Sequence, residues 1–332
     1  MAKSAGERAI LKEEKRLEKE KRRRIEQANK MLIPVSRKTT QSLGIISFDP
    51  EGVFRLKENR WMKVFEAVED TLCQIAKLSP NLLGRVRITM HSGGCGGREA
   101  CHISLMETGE LYEEIRQQFK NDEDVLREAD LLKPLSVDEV MNQIAENFHK
   151  EIRFSYASYV RGNKDFKKEC FAELKETKDS FLFGKGYGES FAALSFPADS
   201  RGNLVEKLKK LGCEFYLCLD LNSLSVEEQM DFNRTLEKKY NRRLPLNGDS
   251  DYVNASMMLI ILCDSDDARK IVEQTVMNLM ISAGILTVPA YNAQAFYMES
   301  AAGLGICDEK IVRNVDPAVA ASLFGGDKNA DA

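Results

Sequence analysis

No apolar run in this chain approaches the ~18 residues needed to cross a bilayer. The longest runs only from Met257 to Cys263, which is the length of a strand. Residues 1 to 30 lack an apolar h-region, so no secretory signal peptide is expected and the reading is a cytoplasmic protein. Histidine is scarce: there are three, at positions 91, 102 and 149. No serine sits in a G-x-S-x-G elbow, which removes the common hydrolase arrangement. A phosphate loop of the form G-x-x-x-x-G-K-[ST] is missing as well. The one Gly-Lys pair, Gly184-Lys185, continues as Gly186-Tyr187-Gly188 ahead of a strand instead of opening a helix. That spacing does not match the Rossmann fingerprint either. Asp249 and Asp251 fall in RLPLNGDSDYVN, a turn-like composition. The expectation is therefore a chain without catalysis of its own and without a cofactor.

What is present is an ordinary globular composition. The 332 residues are 43% hydrophobic and 30% charged, enough to bury a sizeable core. Eight cysteines, at 73, 95, 101, 170, 213, 218, 263 and 307, follow no framework spacing. Several lie inside apolar runs, where a reduced thiol acts as a small hydrophobe.

The net charge of −4 is unevenly spread. Residues 1 to 30 hold eleven Lys or Arg against six Glu, a balance of +5, which leaves −9 on the rest. An exposed basic helix over residues 1–37 is expected, ended by Pro34. Its Lys19, Lys21, Arg22, Arg23 and Arg24 are candidate contacts to nucleic acid or anionic lipid. The interleaved Glu residues fit a solvated helix equally well.

The pattern beyond the arm divides the chain into three. Residues 38–150 read as a β-hairpin and helical subdomain, 151–326 as an α+β domain, and 327–332 as a disordered tail. In the first, two β-rich runs meet at Asp49-Pro50-Glu51-Gly52, and a helix over 65–78 stops at Ser79-Pro80. Segments 108–150 and 164–178 look helical and charged, with Ser136 and Glu139 spaced for a capping box. In the second, strands at 190–196, 213–219, 254–263 and 285–289 alternate with helices at 201–211, 225–241 and 266–282. Residues 303–326 read as a small tail. The fold class expected is α+β: β-hairpins plus two β-α-β units on a mainly antiparallel sheet with helices on one face.

One stretch raises a chemical question. HSGGCGGREACH, residues 91–102, carries His91, Cys95, Cys101 and His102, ligand types that suit zinc. The order His-x3-Cys-x5-Cys-His matches no common knuckle, and adjacent Cys101 and His102 would project to opposite faces of a strand. The alternation of Val86, Ile88 and Met90, and of Cys101, Ile103 and Leu105, favours a glycine-tipped hairpin with no metal bound.

Three segments carry a family resemblance. They are GIISFDPEGVFRLKENRWMKVFEA, ESFAALSFPADSRGNLVEKLKKLGCEFYLCLDLNSLSVEEQMDFNRTLEKK and ASMMLIILCDSDDARKIVEQTVMNLMISAGILTVPAYNAQAFYMESAAGLG. Gly303-Leu304-Gly305, Arg313 and Leu323-Phe324-Gly325 extend the likeness to roughly residues 40–326. This chain resembles the amino-terminal region of the conjugative-transfer and type IV secretion motor ATPases, without the ATPase domain that follows there. The resemblance implies a non-catalytic docking and assembly component of such an apparatus. Its implied partners are subunits of the secretion channel and a separate ATPase half, in a homo- or hetero-oligomer at the inner face of the cell membrane. The competing expectation is a nucleic-acid-binding accessory protein of a mobile element, acting through the basic arm.

Overall fold

The computed structural model describes residues 44–94, 97–129, 132–162, 164–184, 186–197, 202–240, 252–305 and 311–325. The basic arm, the terminal tail and the Asp249/Asp251 turn lie outside the described residues. Within them the fold is α+β, with a single mainly antiparallel sheet.

The sheet opens with a meander of β1 (Ile45–Phe48), β2 (Val53–Leu56) and β3 (Arg60–Ala67). Asp49 shapes the first turn, its Oδ1 accepting from Glu51 N and Val53 N. Strand β3 takes residues 65 to 67 from the helix expected there. Phe65 and Ala67 pair with Ile103 and Cys101, and α1 (Glu69–Leu78) starts only after the extended Val68. Next come β4 (Arg85–Gly93), β5 (Glu99–Thr108), α2 (Tyr112–Leu126) and a two-residue β6 (Lys133–Pro134). Strand β6 interrupts the long helical segment expected over 108–150. Pro134 has no N–H to donate, and the edge of β3 is a place that tolerates it.

A second stretch crosses behind the sheet: α3 (Val137–Asn147), α4 (Tyr156–Gly162), α5 (Phe166–Cys170), β7 (Lys175–Glu176) and β8 (Phe181–Phe183). Ser136 and Glu139 form the expected capping box. Then follow β9 (Gly186–Ser195), α6 (Leu204–Lys209), β10 (Glu214–Ser223), α7 (Val226–Tyr240), β11 (Val253–Cys263), α8 (Asp266–Ser282) and β12 (Leu286–Pro289). The chain continues through α9 (Gln294–Ala302), β13 (Arg313–Val315) and α10 (Pro317–Ser322). Residues 311–325 are therefore more than a tail. Strand β13 pairs with β11, and Val319, Ala320 and Ala321 of α10 are buried in the core.

The strand order reveals a repeat that the residues do not spell out. Strands β6, β3, β5 and β4 are neighbours in that order, and so are β12, β9, β11 and β10. Each set is a β-α-β-β-α-β unit of ferredoxin-like topology, the second with α7 inserted between β10 and β11. The corresponding strands β4 and β10 pair antiparallel along their length, Arg85 opposite Asn222 through Gly93 opposite Glu214. That pairing joins the two units edge to edge about a local twofold and leaves neither strand exposed.

Helices α1, α2, α6 and α8 lie on one sheet face, burying Leu72, Phe119, Leu208 and Met280 against Ile88, Leu217 and Leu259. The other face is covered too. Helices α3, α5 and α9 bury Ile144, Phe166 and Met298 against Val64, Cys218 and Ile260. A sheet buried on both faces needs apolar residues at consecutive positions, which is why β11 reads as an unbroken run instead of alternating.

One charged pair sits within the β4–β10 seam, toward its Arg85–Asn222 end. Arg87, fully buried, donates from Nε and Nη2 to Asp220 Oδ1 and Oδ2, both at 2.6 Å. Its Nη1 donates to Ser300 O and Oγ on α9, at 2.9 and 2.8 Å. Ser256 Oγ completes the cluster with a 3.3 Å bond to Asp220. Removing one partner leaves a buried charge uncompensated, so Asp220→Ala should cost about 3–5 kcal/mol in urea unfolding. Replacing both, as Arg87→Met with Asp220→Leu, should cost clearly less. A double variant as unstable as Asp220→Ala would assign the loss to packing, not to charge.

Candidate functional site

At one end of the seam the sheet opens into a cavity of about 960 Å3. Glycine turns from three distant parts of the sequence shape it: Gly93-Gly94 after β4, Gly184 before β9, and Gly212 before β10. Gly94 is at φ 78°, and a Cβ there would come within 3.0 Å of Gly212 O. Two turns can approach this closely only where neither carries a side chain. One wall is apolar, with Phe148, Phe183, Leu211, Leu262 and Val272, while His149, Lys150, Glu214 and Asp264 are charged or titratable groups and Cys213 and Cys263 add two thiols.

Glu214 organises the polar side. His91 Nε2 lies 3.1 Å from its Oε1, and His149 Nε2 lies 3.2 and 3.1 Å from its two oxygens. The Tyr216 hydroxyl is 3.2 Å both from Glu214 Oε1 and from Asn147 O, and the His91 ring stacks on Tyr216 at 4.2 Å. His149 reaches the carboxylate because α3 ends just before it, with His149 itself at φ 51°. Burial alone would raise the Glu214 pKa. The hydrogen bonds from His149 and His91 overcome it and hold the carboxyl down at about 2. Reciprocally, the Glu214 hydrogen bond raises His149 above 6.5, against the opposing effect of burial. The arrangement is a pre-formed, charge-balanced hydrogen-bonding wall beside an apolar one.

The zinc candidates do not converge on this cavity or elsewhere. Cys101 is buried on the face of the ferredoxin-like helices, whereas His91 stacks on Tyr216 on the opposite face. His102 is 4% exposed, and burial lowers its pKa to about 4, helped by His91 and Arg98. Cys95 lies outside the described residues, as do Lys19, Lys21, Arg22, Arg23 and Arg24. Among the described residues no group of three or more His, Cys, Asp or Glu is arranged to hold a metal ion. Nor is any described helix long and apolar enough to cross a membrane.

A second, smaller cavity of about 350 Å3 opens beside Gly84, Arg85, Glu107 and Gln118. Glu107 is 3% exposed, and Asp122 is fully buried. Asp122 accepts from Leu83 N and Gly84 N at 2.8 and 2.9 Å. Burial, then a hydrogen bond to Asp122, pushes the Glu107 pKa up to about 9. At neutral pH Glu107 is a neutral acid that donates to the Asp122 carboxylate, while its Oε1 has no hydrogen-bond partner.

The buried charges of the sheet carry a signal in the sequence. Arg87, Glu107 and Asp220 are charged residues inside apolar strand runs. Such placement costs several kcal/mol unless the charge is paired or neutralised. His149 carried no such mark, because only a helix end in the left-handed conformation turns it toward Glu214.

Two pH dependences follow. The His149 contribution is complete below 6.5 and lost as pH rises through its higher folded value. The Glu214 contribution is present above 4.5 and lost as pH falls through about 2. Glu214→Gln should flatten both limbs and move the His149 titration, followed by NMR, to lower pH. An unmoved titration would rule out the contact. For Glu107 the folded value is raised, so its stability is full below 4.5 and is lost as pH rises to about 9. Glu107→Gln keeps a donor toward Asp122 and should gain on the order of a few kcal/mol at pH 8 relative to pH 4.

Compared with known proteins, the chain matches no family model and no curated protein.

Proposed function

We propose that this chain is a non-catalytic docking and assembly component of a conjugative-transfer, or type IV secretion, apparatus. It works in the cytoplasm against the inner face of the membrane, beside the motor that hydrolyses ATP. The sequence resemblance supplies the setting. The observation that carries the docking role is the large cavity at the end of the seam. Its apolar wall of Phe148, Phe183, Leu262 and Val272, beside the His149–Glu214 pair, combines the apolar centre and polar margin of a protein interface. Its glycine turns leave backbone within reach of a partner segment. The exposed Val226 and Met230, one turn apart on α7, offer a further contact on the same unit.

Ala268, in the first turn of α8, lines the cavity and is only half-buried, so Ala268→Arg fills the space without touching the core. The variant should bind the motor ATPase of the apparatus about tenfold more weakly, or about 1.4 kcal/mol. Its thermal unfolding should be unchanged. Unaltered binding would remove the cavity from the interface. Steady ATP turnover by the purified chain, surviving removal of contaminants, would overturn the non-catalytic reading itself.

A further inference from the structure

The cavity holds one feature that docking does not use. The β10–β11 ladder ends with Glu214 opposite Leu262, so the next residues outward, Cys213 and Cys263, face each other across the two strands. Both line the cavity, and both are free thiols. Facing residues of an antiparallel pair have Cα atoms about 4.5–5.5 Å apart. That lies inside the span of about 4.4–6.8 Å that a disulfide bridges without moving the backbone. We propose that Cys213 and Cys263 are a redox-active dithiol, which a small-molecule disulfide of the glutathione class oxidises to a reversible cross-strand disulfide.

The two thiols already interact. The proton shared between them raises the pKa of one thiol, Cys213, and lowers that of the other, Cys263, below 9.0. Elsewhere burial works the other way, pushing Cys101 and Cys170 up to about 12 and Cys218 to about 11. Thiolate character and access together select the cysteine that reacts. Cys213 is half-buried and Cys263 is 9% exposed, and the open cavity that both line gives the pair its access.

The chemistry balances as two exchanges. The Cys263 thiolate attacks one sulfur of glutathione disulfide, forming a mixed disulfide and expelling one glutathione thiolate. Cys213 then loses its proton to that leaving thiolate or to water and attacks the Cys263 sulfur, expelling the second glutathione. Two protein thiols are oxidised, and one small disulfide is reduced to two thiols. The product ties the start of β10 to the end of β11. This inference stands whether or not the cavity receives a partner.

The test uses the full chain equilibrated in buffers of graded reduced-to-oxidised glutathione, acid-quenched, alkylated with N-ethylmaleimide after unfolding, digested and weighed. The expected result is a linked pair of peptides carrying Cys213 and Cys263, two hydrogen atoms lighter than their sum, while Cys101 and Cys218 stay fully alkylated. Dithiothreitol should reverse the link. In Cys213→Ser the link should vanish, with Cys263 accumulating instead as a glutathione adduct. Recovery of both cysteines as free thiols in the most oxidising buffer would overturn the proposal. So would separate adducts that never link.

Discussion

The bidentate contact between Arg87 and Asp220 is the constraint on which the rest of the molecule depends. It lies at the one strand pairing that turns two β-α-β-β-α-β units into a single sheet. A ladder between two largely apolar strands has little to choose between registers except which face each side chain takes. A slip of two residues would preserve the faces but separate the guanidinium from its carboxylate and from Ser300. Buried ion pairs often add little net stability, and their best-attested value is in fixing one arrangement among several. Here the arrangement includes α9, because Arg87 reaches across the seam to its backbone.

The cavity is a consequence of that register. With Arg87 opposite Asp220, His91 falls opposite Tyr216, and Gly93 meets Glu214 where the strands part. The stack of His91 on Tyr216 and the shared hydrogen bonds of Glu214 then hold one wall in place. The segment that covers the back of the sheet supplies the missing member, His149, at the end of α3. The two units share a topology, yet the cavity at the seam takes its turns and walls unequally from them. The second unit contributes the starts of β9 and β10, the end of β11 and the first turns of α8.

Both cavities show charge managed by neutralisation as well as by pairing. Glu214 stays ionised because two imidazoles face it, whereas Glu107 gives up its charge and donates to Asp122. The first solution leaves a polar surface that can be shared with a partner. The second makes an acid whose proton is held by structure. The proposed docking role draws on the former, and the facing thiols Cys213 and Cys263 lie at the same mouth.

Much of this architecture was legible in the residues. Alternation in Val86–Met90 and Cys101–Leu105 specified a hairpin, the Ser136–Glu139 box started a helix, and Asp266 to Ser282 had its boundaries written in composition. Each is a local preference, set by side chains within a few residues of one another. Phe65 was misread because a strand buried on one face and a helix start look alike over three residues. The segment 311–325 looks like a tail because its elements are short and their partners, the strand Val253–Cys263 and the core, lie far away in the sequence. The topology of two fused units, the covering of the second sheet face, and the meeting of His91, His149 and Glu214 were decided only by the tertiary structure. They depend on contacts between residues far apart in the chain, and local pattern carries no record of which distant strand will be the neighbour.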